Sequence, residues 1–397
     1  MAAFNIAVLS DLHAYVGDGN ASNSLLGFGT PTSEKLNPLL SLVKYATDHG
    51  ITADALVCPG DICNQADIDG FGRAWKTLHD LNDALRSSFL LATCGNHDLD
   101  SRYLRNRGAD DPDPKGALLC LTPKFPFNDI QTNNQFWAHN FAFVDLGDSY
   151  CALVLNTSAY HGGSEGEIDH GRVSQRTIDA ILVELTRFPN RGAYVLICHH
   201  HLLPMTGWET QPDYQYVHKG TALLEALETA TRTSWLVIHG HRHHPRLVYG
   251  PAVSTCAPII FGSSSLGARM TGVPNQFHVI SIEESDQPEH ASIVGTVKTW
   301  SWTVTTGWIQ SGRRSAGMPT ICGFGFKGQV GVLADQVSRF VGSSYVTWND
   351  AVNAYPSLRY LTPEGLIHFD EALLSRGFTV LFDTSDLPAQ IGPRAAI

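Results

Sequence analysis

Charge is scarce in this sequence: Asp, Glu, Lys and Arg make up only 16% of its 397 residues, against 43% hydrophobic. That balance excludes intrinsic disorder for the bulk of the chain. No run approaches 18 consecutive apolar residues, so no membrane-spanning helix is expected. The opening Met1-Ala2-Ala3-Phe4-Asn5 has no basic segment and reaches Asp11 before any long apolar stretch, which does not read as a signal peptide. The eight cysteines include no C-x-x-C pair and no regular framework. Three of them, Cys58, Cys94 and Cys198, end apolar runs, as small core residues of a reducing cytoplasm would.

Basic residues are few as well. There are 27 Lys and Arg against 38 Asp and Glu, a formal net charge of −11. Residues 301–397 hold seven of each sign, so residues 1–300 carry the whole acidic excess. Long nucleic acid, whose binding depends on neutralised phosphates, is disfavoured as a partner. A small phosphorylated substrate is compatible, because bound metal can supply positive charge. Histidine is the abundant exception: 18 are present, clustered at 199–201 and 239–244, a pattern that points to metal.

The first 300 residues alternate short apolar runs with helix-period segments. Strands are expected at Asn5–Leu9, Asp54–Cys58, Ser88–Thr93, Tyr150–Leu155, Ala193–Cys198 and Trp235–Ile238. Helices are expected at Glu34–His49, Gly70–Arg86, about 172–187 and 220–231. This alternation implies a layered α/β fold with sites at the carboxyl ends of strands. Residues 106–140, rich in Gly, Pro, Asp and Asn, read as a surface excursion. Further strands are expected at Phe277–Ile282 and Ala291–Thr303. Residues 305–397 change character, with glycines around 307–331 and helices at Val332–Val341 and Pro363–Leu374. We read 1–304 as the main domain and 305–397 as a small α+β accessory module. The aromatics in and just before it, Trp302, Trp308, Trp348, Tyr355 and Tyr360, suit either an oligomer or partner interface or a small core.

Five polar motifs each close a different apolar run. They are Asp11-Leu12-His13, Gly60-Asp61-Ile62-Cys63-Asn64, Gly95-Asn96-His97-Asp98, His199-His200-His201 and His239-Gly240-His241-Arg242-His243. Two residues apart on extended chain, Asp11 and His13 point to one side and can grip one ion. Mixed oxygen and imidazole donors suit Mn²⁺, Fe or Zn²⁺ rather than Ca²⁺. Together they exceed what one ion accepts, but fit two if one carboxylate bridges.

In this order the motifs resemble the calcineurin-like metallophosphoesterase superfamily over roughly residues 4–282. The resemblance implies a four-layer α/β/β/α sandwich and a binuclear centre. One metal would be held by Asp11, His13, Asp61 and His243, the other by Asp61, Asn96, His199 and His241, with Asp61 as bridge. His199 and His200 remain alternatives for one ligand, and the third histidine, His201, stands where the family usually has proline. His239 and His244 lie outside the Gly-His-x-His positions and read as structural. Gly171-Arg172-Val173-Ser174-Gln175 also looks like the family's segment before the fourth-motif strand.

The resemblance further implies two divalent ions, with Mn favoured and Fe or Zn as alternatives. A hydroxide bridging them would attack phosphorus, and His97 would protonate the leaving oxygen or stabilise the transition state. Arg102, Arg105 and Arg107 follow the third motif and can grip substrate phosphate, as can His200 or His201. Phe136-Trp137 can stack on a base or anchor the excursion. Asp98 reads as a turn residue. The protein-phosphatase branch carries Arg where Cys94 stands here, which disfavours a phosphoprotein phosphatase. The expected activity is hydrolysis of a phosphodiester in a small substrate such as a cyclic nucleotide, a nucleotide derivative or a glycerophosphodiester. The alternatives are a nuclease or phosphomonoesterase with the same centre. A non-catalytic scaffold fits least, since no ligand position is lost.

Overall fold

A computed structural model describes residues 3–17, 23–29, 33–102, 113–163, 166–205, 213–252, 256–310 and 317–394. The chain opens with strand β1 (Phe4–Val8), then α1 (Pro38–Asp48), β2 (Ala55–Cys58), α2 (Ile68–Ala84) and β3 (Phe89–Ala92). Short polar caps start these helices. The Asn37 side chain accepts from the Leu39 and Leu40 N–H groups ahead of α1, and the Asp67 side chain accepts from Gly70 N–H ahead of α2.

The stretch expected as a surface excursion turns inward from Asp113 onward. It forms α3 (Gly116–Leu119) and α4 (Ile130–His139), and buries Phe125, Phe127 and Phe136. Trp137 Nε1 donates to the Phe125 carbonyl at 3.1 Å, so the Phe136-Trp137 pair anchors this segment to the core. Irregular composition concealed it, because the burial is achieved by a few aromatics rather than by a periodic face.

Next come β4 (Phe141–Asp145), β5 (Tyr150–Leu155), α5 (Gln175–Leu185), β6 (Ala193–Ile197), α6 (Gly220–Thr231) and β7 (Trp235–His239). The strands β8 (Arg246–Tyr249), β9 (Ile259–Gly262), β10 (Asn275–Glu284), β11 (His290–Thr303), β12 (Gly307–Gln310) and β13 (Ile321–Phe326) follow. One sheet runs β12-β11-β10-β1-β2-β3, with β13 also paired to β11. The other runs β4-β5-β6-β7-β9-β8. In the first, β1, β2 and β3 are parallel; in the second, β5, β6, β7 and β9 are.

Strand alternation decides the layers. Ile6, Val8, Ala55 and Val57 of the first sheet share one apolar cluster with Val154, Val195, Ile197 and Ile238 of the second. The opposite face of the first sheet, including Ala7 and Leu56, packs on Leu39, Leu42, Trp75 and Leu78 of α1 and α2. The outer face of the second, including Leu153 and Leu196, packs on Ile178, Ile181, Leu223 and Leu227 of α5 and α6. Helices, sheet, sheet, helices: this is the four-layer α/β/β/α sandwich.

Beyond β13 lie α7 (Val330–Val341), β14 (Val346–Thr347), α8 (Trp348–Ala354), α9 (Pro363–Leu374), β15 (Phe378–Phe382) and β16 (Pro388–Pro393). They build a separate α+β cluster around Leu333, Val337, Phe369, Val380 and Ile391, with a three-stranded sheet β14-β16-β15. Trp302 and Trp308 are buried in the main body, where Trp308 Nε1 donates to the Pro38 carbonyl at 3.0 Å. No helix among the described residues is long and apolar enough to cross a membrane.

Candidate metal centre

Both sheets direct their parallel strands' carboxyl ends to one place. Asp11 and His13 follow β1, Asp61 follows β2 and Asn96-His97 follow β3. From the second sheet, His199 and His200 follow β6, and His241 and His243 follow β7. Two groups of donors converge there. Asp11, His13, Asp61 and His243 form one, and His199, His200 and His241 the other, each with ligand atoms within 4.8 Å of one another.

In the first group, His13 Nε2 and His243 Nε2 lie 3.0 Å apart. Asp11 Oδ1 is 3.3 Å from His243 Nε2, and Asp61 Oδ2 is 3.7 Å from His13 Nε2. The other carboxylate oxygen of Asp61 faces the second group, 3.4 Å from His199 Nε2. Asn96 Oδ1 stands 3.1 Å from both His199 Nε2 and His241 Nδ1. Asp61 thus gives one oxygen to each group.

The backbone is bent to this purpose. Asp11, His13, Asp61, His241 and His243 all have φ between +49° and +74°, a region that costs an L-residue roughly 1–2 kcal/mol. Local composition gives no hint of it. Glycines allow the motif loops to close. A Cβ on Gly95 would lie 2.6 Å from the Asp61 nitrogen, and one on Gly60, itself at φ +115°, 2.8 Å from His199 Nδ1. Gly240 would meet Ser10 Oγ and Asp11 Oδ2.

Electrostatics suit cations. Burial pushes the Asp61 carboxyl up, but His199, His97 and His13 outweigh it and hold it well below the usual carboxylate range. Burial is likewise overcome at Asp11, chiefly by His243. Burial and neighbouring histidines lower His13 to about 3 and put His200 and His241 well below the ordinary imidazole value. Neutral imidazoles beside ionised carboxylates are the forms a divalent ion requires. At His199 burial acts downward, yet Asp61 raises its value to about 9, so a cation there would displace a proton. Buried nitrogens facing one another at hydrogen-bond distance, ringed by carboxylate oxygens, make the donor set fit two divalent ions.

Neighbouring residues take other parts. The Gln65 backbone N–H donates to His97 Nδ1 at 3.4 Å, which puts the ring proton on Nε2. The Asp98 carboxylate is turned away from the donors and accepts from the Cys63 and Gly95 N–H groups, both at 2.8 Å, tying the second motif to the third. Burial, with Asp61 adding to it, pushes that carboxyl up to about 7.

His200 Nδ1 lies 2.9 Å from Thr157 Oγ1, and its buried Nε2 has no hydrogen-bond partner among the described residues. His201 is fully buried and engaged away from both groups, its Nε2 2.6 Å from Asp213 Oδ2. His239 Nδ1 pairs with the Gly240 carbonyl at 3.0 Å, and neither His239 nor His244 joins the donor groups. Arg102 is not brought to the donors either; it pairs with Asp169 at 2.9 Å. Arg105 and Arg107 lie outside the described residues. Thr157, His161, Asp169 and Asp213 carry no local sequence signal and were found only through contacts.

The chain is similar to several known proteins. A 3′,5′-cyclic adenosine monophosphate phosphodiesterase of Haemophilus influenzae is 24% identical over 236 residues, covering 59% of this chain and 68% of the relative. A purple acid phosphatase from yellow lupin (Lupinus luteus) seeds superposes with a TM-score of 0.44 at 12% identity, over 77% of this chain. This chain spans about half, 52%, of that phosphatase's length. GAP50 of Plasmodium, the anchor in its inner membrane complex, superposes with a TM-score of 0.38 at 13% identity, covering 77% of this chain and 86% of its own. Residues 322–375 match a family model described as wHTH-Calcineurin_assc. The model described as calcineurin-like phosphoesterase runs from Phe4 in β1 to Pro245, just past the last histidine motif, and by that match the chain belongs to the calcineurin-like phosphoesterase family, a hydrolase of phosphoester bonds.

Proposed function

We propose that the chain hydrolyses a phosphodiester bond in a small substrate: a cyclic nucleotide, a nucleotide derivative or a glycerophosphodiester. The observation that carries this reading is the division of the Asp61 oxygens between two donor groups, with Asn96 shared by His199 and His241 in the second. The relative named for its action on cyclic adenosine monophosphate supports a diester. So does Cys94, which is fully buried and donates to Asn156 Oδ1 at 3.3 Å where the protein-phosphatase branch places a guanidinium.

Asp11, His13, Asp61 and His243 would hold one divalent ion, and Asp61, Asn96, His199 and His241 the other; Mn²⁺ is the ion we favour. When bound, the ions supply positive charge for the phosphoryl oxygens and acidify a water to serve as nucleophile. His97, with its proton on Nε2, hydrogen-bonds the leaving oxygen and stabilises the charge that develops there in the transition state. The His97 backbone N–H donates to Asp61 Oδ1 at 2.8 Å, so the turn after β3 that carries His97 is tied to the bridging carboxylate after β2. Within residues 305–397, read as an accessory module, β12 and β13 join the first sheet; we place the cluster beyond β13 apart from this chemistry, and the protein in a reducing compartment, which its buried free thiols suit.

The test is paired hydrolysis of a chromogenic phosphate diester and its monoester with Mn²⁺, with and without chelator. Diester preference abolished by chelation supports the reading. Monoester preference overturns it in favour of a phosphatase.

A further inference from the structure

The turn after β3 carries more than His97. Ser101 Oγ donates to the Asn96 carbonyl at 3.1 Å and is buried, so Arg102 is fixed to the same turn as His97 and Asn96. Across from this turn stands a segment described at residues 157–163 and 166–172, from the second sheet's side of the centre.

That segment is held firmly. His161 Nε2–H donates to the His170 carbonyl at 2.9 Å, and its Nδ1 lies 3.2 Å from Ser101 Oγ. Glu167 Oε2 lies 3.1 Å from His170 Nε2, and Glu167 also pairs with Arg172, whose guanidinium sits 5.5 Å from the centroid of the Tyr160 ring. From this braced wall Asp169 reaches Arg102. Both remain open to solvent, with 36% of the Arg102 side chain and 50% of Asp169 exposed.

We propose that Arg102, aimed by Asp169, reads the leaving-group side of the substrate and favours phosphodiesters whose leaving alcohol or phenol carries a further anionic group. A guanidinium has five donors in a rigid fork. Asp169 engages one terminal nitrogen and leaves donors for a second anion. In a body that holds the whole −11 of the chain, this arginine, on the same turn as the His97 donor, is where a second negative charge is accommodated. Arg102 is thus a specificity residue and Asp169 a positioning residue. The inference rests on the diesterase reading and on His97 marking the leaving side.

The test compares 4-nitrophenyl phenyl phosphate with its counterpart bearing a carboxylate ortho to the nitro group of the leaving phenol. Wild type, Arg102→Ala, Arg102→Lys and Asp169→Asn are loaded with Mn²⁺, and their metal content is measured. Arg102→Ala should lower kcat/KM for the carboxylated diester about 10–100-fold, mainly through KM, the loss expected of one charged hydrogen bond. The plain diester should change less than about threefold, within the small worth of an exposed contact, with metal content unaltered. Arg102→Lys should recover part of the loss, and Asp169→Asn should fall between. Equal losses on both diesters, or none on the carboxylated one, overturn the inference alone. A metal-loaded wild type that cleaves neither diester overturns the diesterase reading, and this inference with it.

Discussion

His13 Nε2 and His243 Nε2 face each other at 3.0 Å across 230 residues of sequence. Burial and His97 keep His13 neutral, with its value lowered to about 3, so the contact brings a lone pair to a shared point. Two imidazoles held this way, with the oxygens of Asp11 and Asp61 beside them, are arranged for a cation. Chelation of the metal-loaded protein should therefore lower its melting temperature, and Mn²⁺ should restore it, because a ligand bound only by the folded state stabilises that state. Differential scanning calorimetry checks this; a melting temperature indifferent to metal would contradict the centre.

Asp61 gives an oxygen to each donor group, so one substitution weakens both. Asp61→Asn should lose metal and at least about a hundredfold in turnover, since several kcal/mol of charge stabilisation is withdrawn. Metal-to-protein ratio by emission spectroscopy and the rate on a chromogenic diester are the measurements. Near-normal activity in a folded Asp61→Asn protein would sink the bridging role.

His97 lies beside the donors but is assigned to the leaving oxygen. His97→Ala should keep the metal content of wild type and lose about 10²–10³-fold in rate, the usual worth of a donor aimed at developing charge. An emptied centre in this variant would mean that His97 is a ligand.

Asp98 acts on structure. Its two oxygens satisfy the buried N–H groups of Cys63 and Gly95. Asp98→Ala leaves both unpaired, at about 1–3 kcal/mol each. Asp98→Asn keeps one acceptor and should cost roughly half as much. Urea titration of the two variants distinguishes this from a turn residue, whose replacement would change stability by less than about 0.5 kcal/mol.

Acid stability should show the imprint of His278, in the middle of β10. Burial lowers its value from 6.5 to about 3, and its Nδ1 lies 3.0 Å from Thr299 Oγ1. Between those two values the unfolded chain binds a proton that the folded chain refuses, so stability falls as pH drops from 6.5 towards 3. The slope from this one group is at most about 1.4 kcal/mol per pH unit. His278→Gln should flatten the dependence by that amount, as read from chemical denaturation at several pH values. An unchanged slope would mean that His278 is protonated in the folded state.

The sequence by itself determined the strands and helices that carry the motifs, and the candidate donors. Apolar runs ending in Asp, Asn or His were legible because strand burial and strand-end polarity are local patterns. The helices at 220–231 and 363–374 stand where their periodicity placed them. The five motifs in order carried the resemblance to the family. Tertiary structure decided what no local pattern encodes. It brought β1 to β3 and β6 to β7 together at one end of two sheets, bent five candidate donor residues into positive φ, and turned the Asp98 carboxylate to the backbone while Asp61 faced both donor groups. It also folded residues 113–140 onto the core, engaged His201 with Asp213, and set Asp169 against Arg102. These are contacts between residues 12 to more than 200 positions apart. They are fixed by how buried layers pack, and packing is a property of the whole chain rather than of any window along it.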